Sequence, residues 1–324
     1  MRVEITNSHQ ILTLQKNNTI TSSKRMCHSL VILLVVILTS SVVSACVNET
    51  AVVKKTVITP VDSSIDEIGI RLLSTDVSVG MNRLAFGLIE KGKGPIKDTP
   101  VSLNIFYLDG DNPNEAIDVL VPKYVEWPNG KTGVYTTNVN FKEKGRWGLG
   151  IVINSNDGVR TASALIEVSA TSTAPFAGSI APYSNTKSLT LENPIESITS
   201  DPNPYLPLYE LTLQQALDST LPSVVVFATP AYCVTATCGP QLEIIKDLHR
   251  SHNESINFIH IETYENPQDI RGDLSNGIIS TAAKEWNLPS EPWTFLINSE
   301  GIVVERYEGL VTTEEILDVL PSLR

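Results

Sequence analysis

Two cysteines five positions apart, Cys233 and Cys238, are the residues of this chain whose type and spacing point most directly to chemistry. Thiols this close can bond to each other, part again, and exchange two electrons with a second thiol pair. Before them runs Val224-Val225-Val226-Phe227-Ala228, β-branched and aromatic, which reads as a strand. Thr229-Pro230 signals a turn, and beyond Cys238 the apolar residues fall at helical spacing. Unpaired N–H groups and the positive end of the dipole at a helix start favour a thiolate, so a thiol there has its pKa lowered toward neutrality. The competing reading is a static clip, although a bond closing so short a loop removes little entropy from the unfolded chain.

The elements that position this pair read in order. Leu211–Leu217 is a short amphipathic helix leading into the strand at 223–227. After Cys238, Leu242, Ile244, Ile245 and Leu248 form one helical face, with Pro240 in the first turn, where a missing N–H costs nothing. Ile256–Glu262 is a second strand, and His260 within it is expected to be a satisfied structural histidine. Ile279–Trp286 reads as a helix and Pro292 opens a further strand, Trp293-Thr294-Phe295-Leu296-Ile297. A hairpin turn at Ser299-Glu300-Gly301 leads to a last strand, and Thr312 to Glu315 starts a helix with Ile316, Leu317 and Leu320 on its buried side.

On these residues the stretch 204–324 resembles the thioredoxin superfamily, in the group that includes the TlpA-like, membrane-attached thiol-disulfide proteins. The resemblance implies an α/β thioredoxin-like domain, a cis proline at Pro292 facing the cysteines, and a substrate peptide held by Pro292 with Tyr232, Glu291 and Trp293. The chain departs from the family in having four residues between the cysteines where the family has two. Two registrations follow. Counted from the strand, Cys233 is the attacking thiol and Cys238 its displaced resolving partner. Counted by Cys238-Gly239-Pro240, Gln241 stands where the second cysteine belongs. The first is preferred because it keeps both thiols in one site with Cys233 in the loop; inside one regular helix they would lie about 140° apart.

The family also buries an acid beneath its cysteines as a proton relay, where this chain has Val226. Proton transfer is left to water, Glu291 or Tyr232. Sco-type copper chaperones share the fold, yet they use a histidine from a later loop and none follows His260. No metal and no cofactor is expected, and the partners implied are protein thiols or disulfides.

The rest of the chain frames this region. Its 324 residues, 42% hydrophobic, suffice for two ordinary domains. Net charge is −12; residues 1–45 hold four Lys or Arg and one acid, which leaves 20 basic against 35 acidic residues. Without clustered Lys and Arg, a nucleic-acid partner is excluded as an expectation. Lys24 and Arg25, the apolar run Leu30–Leu38 and small residues up to Ala45 read as an export signal. Val43-Ser44-Ala45-Cys46 resembles the lipobox of bacterial lipoproteins, which implies lipidation of Cys46 and an extracytoplasmic chain tethered to a membrane; an uncleaved membrane anchor is the alternative.

Residues 64–170 offer short strand-like segments, among them 82–89, 101–107, 133–141 and 145–153, separated by Gly, Asn, Asp and Pro. They predict an antiparallel β-sandwich, and Gly-Val-Tyr followed by Gly-Arg-Trp resembles the immunoglobulin-like domains of the YtkA-like kind. Trp147 is expected in its core, and Asp109-Gly110-Asp111 has too few oxygen ligands for a calcium loop. The expected organisation is a multidomain chain: signal 1–45, tether 46–63, immunoglobulin-like sandwich 64–170, linker 171–203 and thioredoxin-like domain 204–324. The leading function is a membrane-tethered thiol-disulfide oxidoreductase. The rival is a non-catalytic surface lipoprotein whose cysteines are a structural disulfide.

Overall fold

The computed structural model describes residues 68–323 except 128, 129, 131, 156, 157 and 236. The export signal, Cys27, Cys46 and the tether lie outside the described residues. Among the described residues no helix is long and apolar enough to cross a membrane.

The first part of the chain is all strand: β1 (Ile68–Leu72), β2 (Gly80–Glu90), β3 (Gly94–Pro95), β4 (Val101–Tyr107), β5 (Asp118–Leu120), β6 (Lys123–Glu126), β7 (Gly133–Phe141), β8 (Gly145–Ser155) and β9 (Gly158–Val168). One antiparallel sheet runs β1-β2-β7-β6 with β3 added to β2, and a second runs β5-β4-β8-β9. They share one core that includes Leu84, Phe86, Leu103, Tyr135, Phe141 and Ile151. Trp147 belongs to it, packed against Tyr107 and Phe141 with its indole N–H donated to the Glu143 carbonyl at 3.0 Å. The strands missed in the sequence, β3, β5 and β6, are two to four residues long, too short for alternation to show. Asp109 is taken by Arg146, whose side chain and backbone N–H both donate to its carboxylate.

Residues 171–203 contain little regular structure beyond a single 3-10 turn, Ile195–Ser197, but backbone bonds tie them to the rest of the chain. The N–H of Gly178 donates to the Val303 carbonyl, that of Val303 to Ser179, and that of Ala181 to Gly301. Ala174, Ala181 and Ile198 are buried in the cores beside this segment.

The remainder comprises α1 (Leu213–Leu217), β10 (Ser223–Ala228), α2 (Cys238–His252), β11 (Asn257–Glu262), α3 (Pro267–Ile270), α4 (Thr281–Glu285), β12 (Trp293–Ile297), β13 (Val303–Glu308) and α5 (Thr313–Val319). The sheet order is β11-β10-β12-β13, with β10 and β11 parallel and the other pairs antiparallel. Every residue of β10 is buried, and its side chains divide by parity. Val224, Val226 and Ala228 join a core with Leu242, Ile245 and Ile316, while Val225 and Phe227 join another with Trp286 and Phe295. Capping boxes start α1 at Thr212 with Gln215 and α5 at Thr312 with Glu315. Helix α4 is shorter than the expected 279–286, because the Ser280 side chain caps it by accepting from the Ala283 N–H.

Candidate functional site

Strand β10 delivers the chain at Ala228 to the turn Thr229-Pro230, closed by a bond from the Tyr232 N–H to the Thr229 carbonyl at 3.1 Å. Helix α2 begins at Cys238, so Cys233 sits in the preceding loop and folds back over the helix start. The two cysteines are joined in a disulfide with Cα atoms 5.9 Å apart, within the ordinary range. Both thiols therefore belong to one site, as the first registration requires. Gln241, which the second registration puts in place of a cysteine, is buried and accepts from the Val311 N–H at 2.8 Å.

The two sulfurs have different surroundings. Cys238 is fully buried in the core with Leu242, whereas Cys233 is half-buried at the surface of its loop. The backbone N–H of Cys238 points at Cys233 Sγ at 3.3 Å, and the Thr235 hydroxyl lies 3.2 Å from the same sulfur. A helix-terminal N–H and a hydroxyl are donors to a thiolate, so a negative charge developing on Cys233 meets the positive end of α2.

Facing the pair is the Glu291–Pro292 peptide, which is cis. The Thr235 hydroxyl also reaches the Glu291 carbonyl at 3.4 Å, which links the cysteine loop to the residue before the proline. The Glu291 carboxylate offers an oxygen that lies, with both sulfurs, inside a group whose members are all within 4.8 Å of one another. Burial pushes its carboxyl pKa up, partly offset by Thr229 and Thr263. Of the other expected contact residues, Tyr232 lines a separate hollow of about 310 Å³ with Ser200 and Pro267. Trp293 is 1% exposed, stacked on Phe295 with the Arg306 guanidinium 5.3 Å from its ring centre, and its indole N–H donates to Ser290 at 3.1 Å. That environment is a core, and the ring presents almost no surface to a peptide.

One residue that the sequence reading passed over belongs here. Glu262 ends β11 directly opposite Ala228, the last residue of β10, and is buried. Burial raises its carboxyl to about 7, against the bond from the Ser200 N–H at 2.7 Å that lowers it, and the Glu291 carboxyl raises it further. Glu262 is thus a buried acid at the end of the strand beside β10, on which Val226 stands. Its signal in the sequence was a carboxylate closing an otherwise largely apolar strand. His260, two residues earlier, is held between the Tyr209 hydroxyl at 2.8 Å and the Ala228 carbonyl at 3.0 Å, and burial lowers its pKa to about 4. It is a neutral structural histidine. With the disulfide open, Cys233, Cys238 and Glu291 would present two soft sulfurs and one hard oxygen to a cation, a mixed set short of the four ligands of a closed zinc site.

No family model matches the chain, and no curated protein matches it. Among solved structures it is similar to a candidate thiol:disulfide interchange protein DsbE from Chlorobium tepidum, at 12% identity over 46% of this chain and 99% of that one, with a TM-score of 0.32. It is also similar to the thio-disulfide isomerase from Thermus thermophilus, at 24% identity over 36% of this chain and 87% of that one, TM-score 0.25. A third likeness is to the PKD domain of the human VPS10 domain-containing receptor SorCS2, at 14% identity over 40% and 95% of the two chains, TM-score 0.20.

Proposed function

We propose that this protein exchanges thiols and disulfides with protein partners through Cys233 and Cys238. The observation that carries the reading is the asymmetry of the pair: a half-buried sulfur facing the Cys238 N–H at a helix start, bonded to a sulfur that is fully buried. In the reduced protein the Cys233 thiolate attacks a partner disulfide, forming a mixed disulfide and releasing one partner thiolate. Cys238 then attacks the Cys233 sulfur, closes the internal bond and releases the second partner thiol, so two electrons pass to the partner. A reduced protein thiol attacking the oxidised pair at Cys233 runs the sequence backwards. Glu291, beside both sulfurs, is the group placed to hold or give the proton, with Glu262 behind it.

The reading includes a two-domain chain, with an immunoglobulin-like sandwich before a thioredoxin-like domain, anchored outside the cytoplasm through a lipid on Cys46. The basic flank, the apolar run and Val43-Ser44-Ala45-Cys46 support that location. Cys238→Ser is expected to accumulate a mixed disulfide with a partner and Cys233→Ser to accumulate none, as read on non-reducing gels. The reduction potential separates exchange from a structural clip: a value below about −300 mV places the bond with structural disulfides and overturns the proposal.

A further inference from the structure

Beside the cysteine loop a cleft of about 380 Å³ opens between two parts of the chain that are far apart in sequence. One wall comes from the first antiparallel sheet and the segments at its edge, with Leu73, Ile89, Trp127 and Val134; the other comes from the site itself, with Thr235 and Glu291. The surface is predominantly apolar, and its volume lies in the range of pockets that enclose ligands, roughly 300–1,000 Å³. Both walls are held to one carboxylate. Glu308 accepts from the Thr75 N–H at 2.6 Å on the sheet side and from the Ser290 hydroxyl at 2.5 Å on the side of the site.

We infer that this cleft is the seat for the apolar polypeptide segment flanking the reactive cysteine of the partner protein. The inference rests on the exchange reading above and names the substrate class for that site. The cleft is continuous with the cysteine site. Thr235 touches the Cys233 sulfur and also lines the cleft, and Glu291 lies against both sulfurs and also lines it. A partner joined to Cys233 in a mixed disulfide carries chain on both sides of its own cysteine, and the chain leaving past Thr235 and Glu291 enters this space. Ile89, 43% exposed, adds apolar side-chain surface to this wall of the cleft. The first antiparallel sheet thereby acts as a specificity element for the disulfide.

The test uses the full chain and two disulfide-linked peptides of equal length, one with Leu and Phe beside its cysteine and one with Glu at those positions, alongside a small aromatic disulfide. The apolar peptide is expected to react at least tenfold faster than the acidic one. Ile89→Glu and Trp127→Ala are each expected to lower the ratio of apolar-peptide rate to small-disulfide rate at least tenfold, and Ile89→Val to preserve it. Equal rates for the two peptides, or an unchanged ratio in both variants, overturns the inference. A second measurement stands apart from the redox chemistry: the apolar peptide with its cysteine replaced by serine should bind the oxidised protein in calorimetry, and bind at least tenfold more weakly to Ile89→Glu. Absence of that binding overturns the cleft as a seat. Binding without exchange overturns the redox reading and leaves the cleft as a peptide site.

Discussion

At the scale of single residues, the buried groups beneath the cysteine loop set opposing pH dependences. Glu262 has its pKa raised to about 7 from 4.5, so between those values the folded chain holds a proton that the unfolded chain has lost. Stability therefore falls as pH rises through that window, by on the order of 3 kcal/mol at about 1.4 kcal/mol per pKa unit. His260 is lowered to about 4 from 6.5, so between those values the unfolded chain binds the extra proton and stability rises with pH. From about pH 4.5 to 6.5 the two slopes oppose each other. Glu262→Gln is expected to expose the histidine slope, with denaturant midpoints rising from pH 4.5 to 6.5 and then levelling, where the unmutated chain stays nearly flat and declines toward pH 7. A variant whose midpoint profile copies the unmutated one would show that Glu262 titrates normally. For exchange, Glu291→Gln removes the acid beside both sulfurs and is expected to flatten the pH dependence of the rate.

Helix α2 shows how an element is fixed by contacts that its own sequence does not announce. Its apolar stripe packs on the sheet, but the same helix carries Lys246, whose ammonium is 3% exposed and lies 2.7 Å from the Asp201 carboxylate, itself 6% exposed. The ammonium also donates to the Asn203 carbonyl at 2.9 Å and to Glu243. These bonds hold the segment before α1 against the helix that bears Cys238. Removing one partner of a buried pair costs about 3 kcal/mol or more, because the other charge is left in a poor solvent. Lys246→Met is thus expected to lower stability by about 3 kcal/mol in urea, and adding Asp201→Asn to recover part of the loss. Two losses that simply add would count against the pair. The disulfide at the start of this helix is a smaller contributor: closing six residues removes entropy equivalent to about 2 kcal/mol.

Across the whole molecule, polar contacts join β2 and the β1–β2 connection to the part of the chain that bears the site. Arg306 of β13 donates to Asp76 at 2.7 Å, and Arg83 of β2 reaches Glu315 at 2.7 Å and the Leu310 carbonyl at 3.0 Å. Burial alone would raise the Asp76 carboxyl, but bonds from Ser172, Thr173, Arg306 and Ala174 outweigh it and lower the pKa to about 2. Its contribution is present above about pH 3.8 and is lost as pH falls toward 2. Asp76→Asn is expected to remove that part of the acid-unfolding profile. The double change Arg83→Ala with Arg306→Ala is expected to split a single calorimetric transition into two; one retained transition would show that apolar contact alone couples the parts.

By itself the sequence determined the local elements and the chemistry on offer. Period-two runs gave the longer strands, Thr312 with Glu315 gave the start of the last helix, and Cys233 and Cys238 gave a pair able to bond, because those signals lie within a few neighbouring residues. Only the tertiary structure decided which cysteine is buried, which acid stands beside the sulfurs, and that a distant sheet walls the cleft next to them. Those properties depend on residues brought together from β2, β11 and the loop before β12, and one-dimensional spacing carries no record of which surfaces close over which atoms.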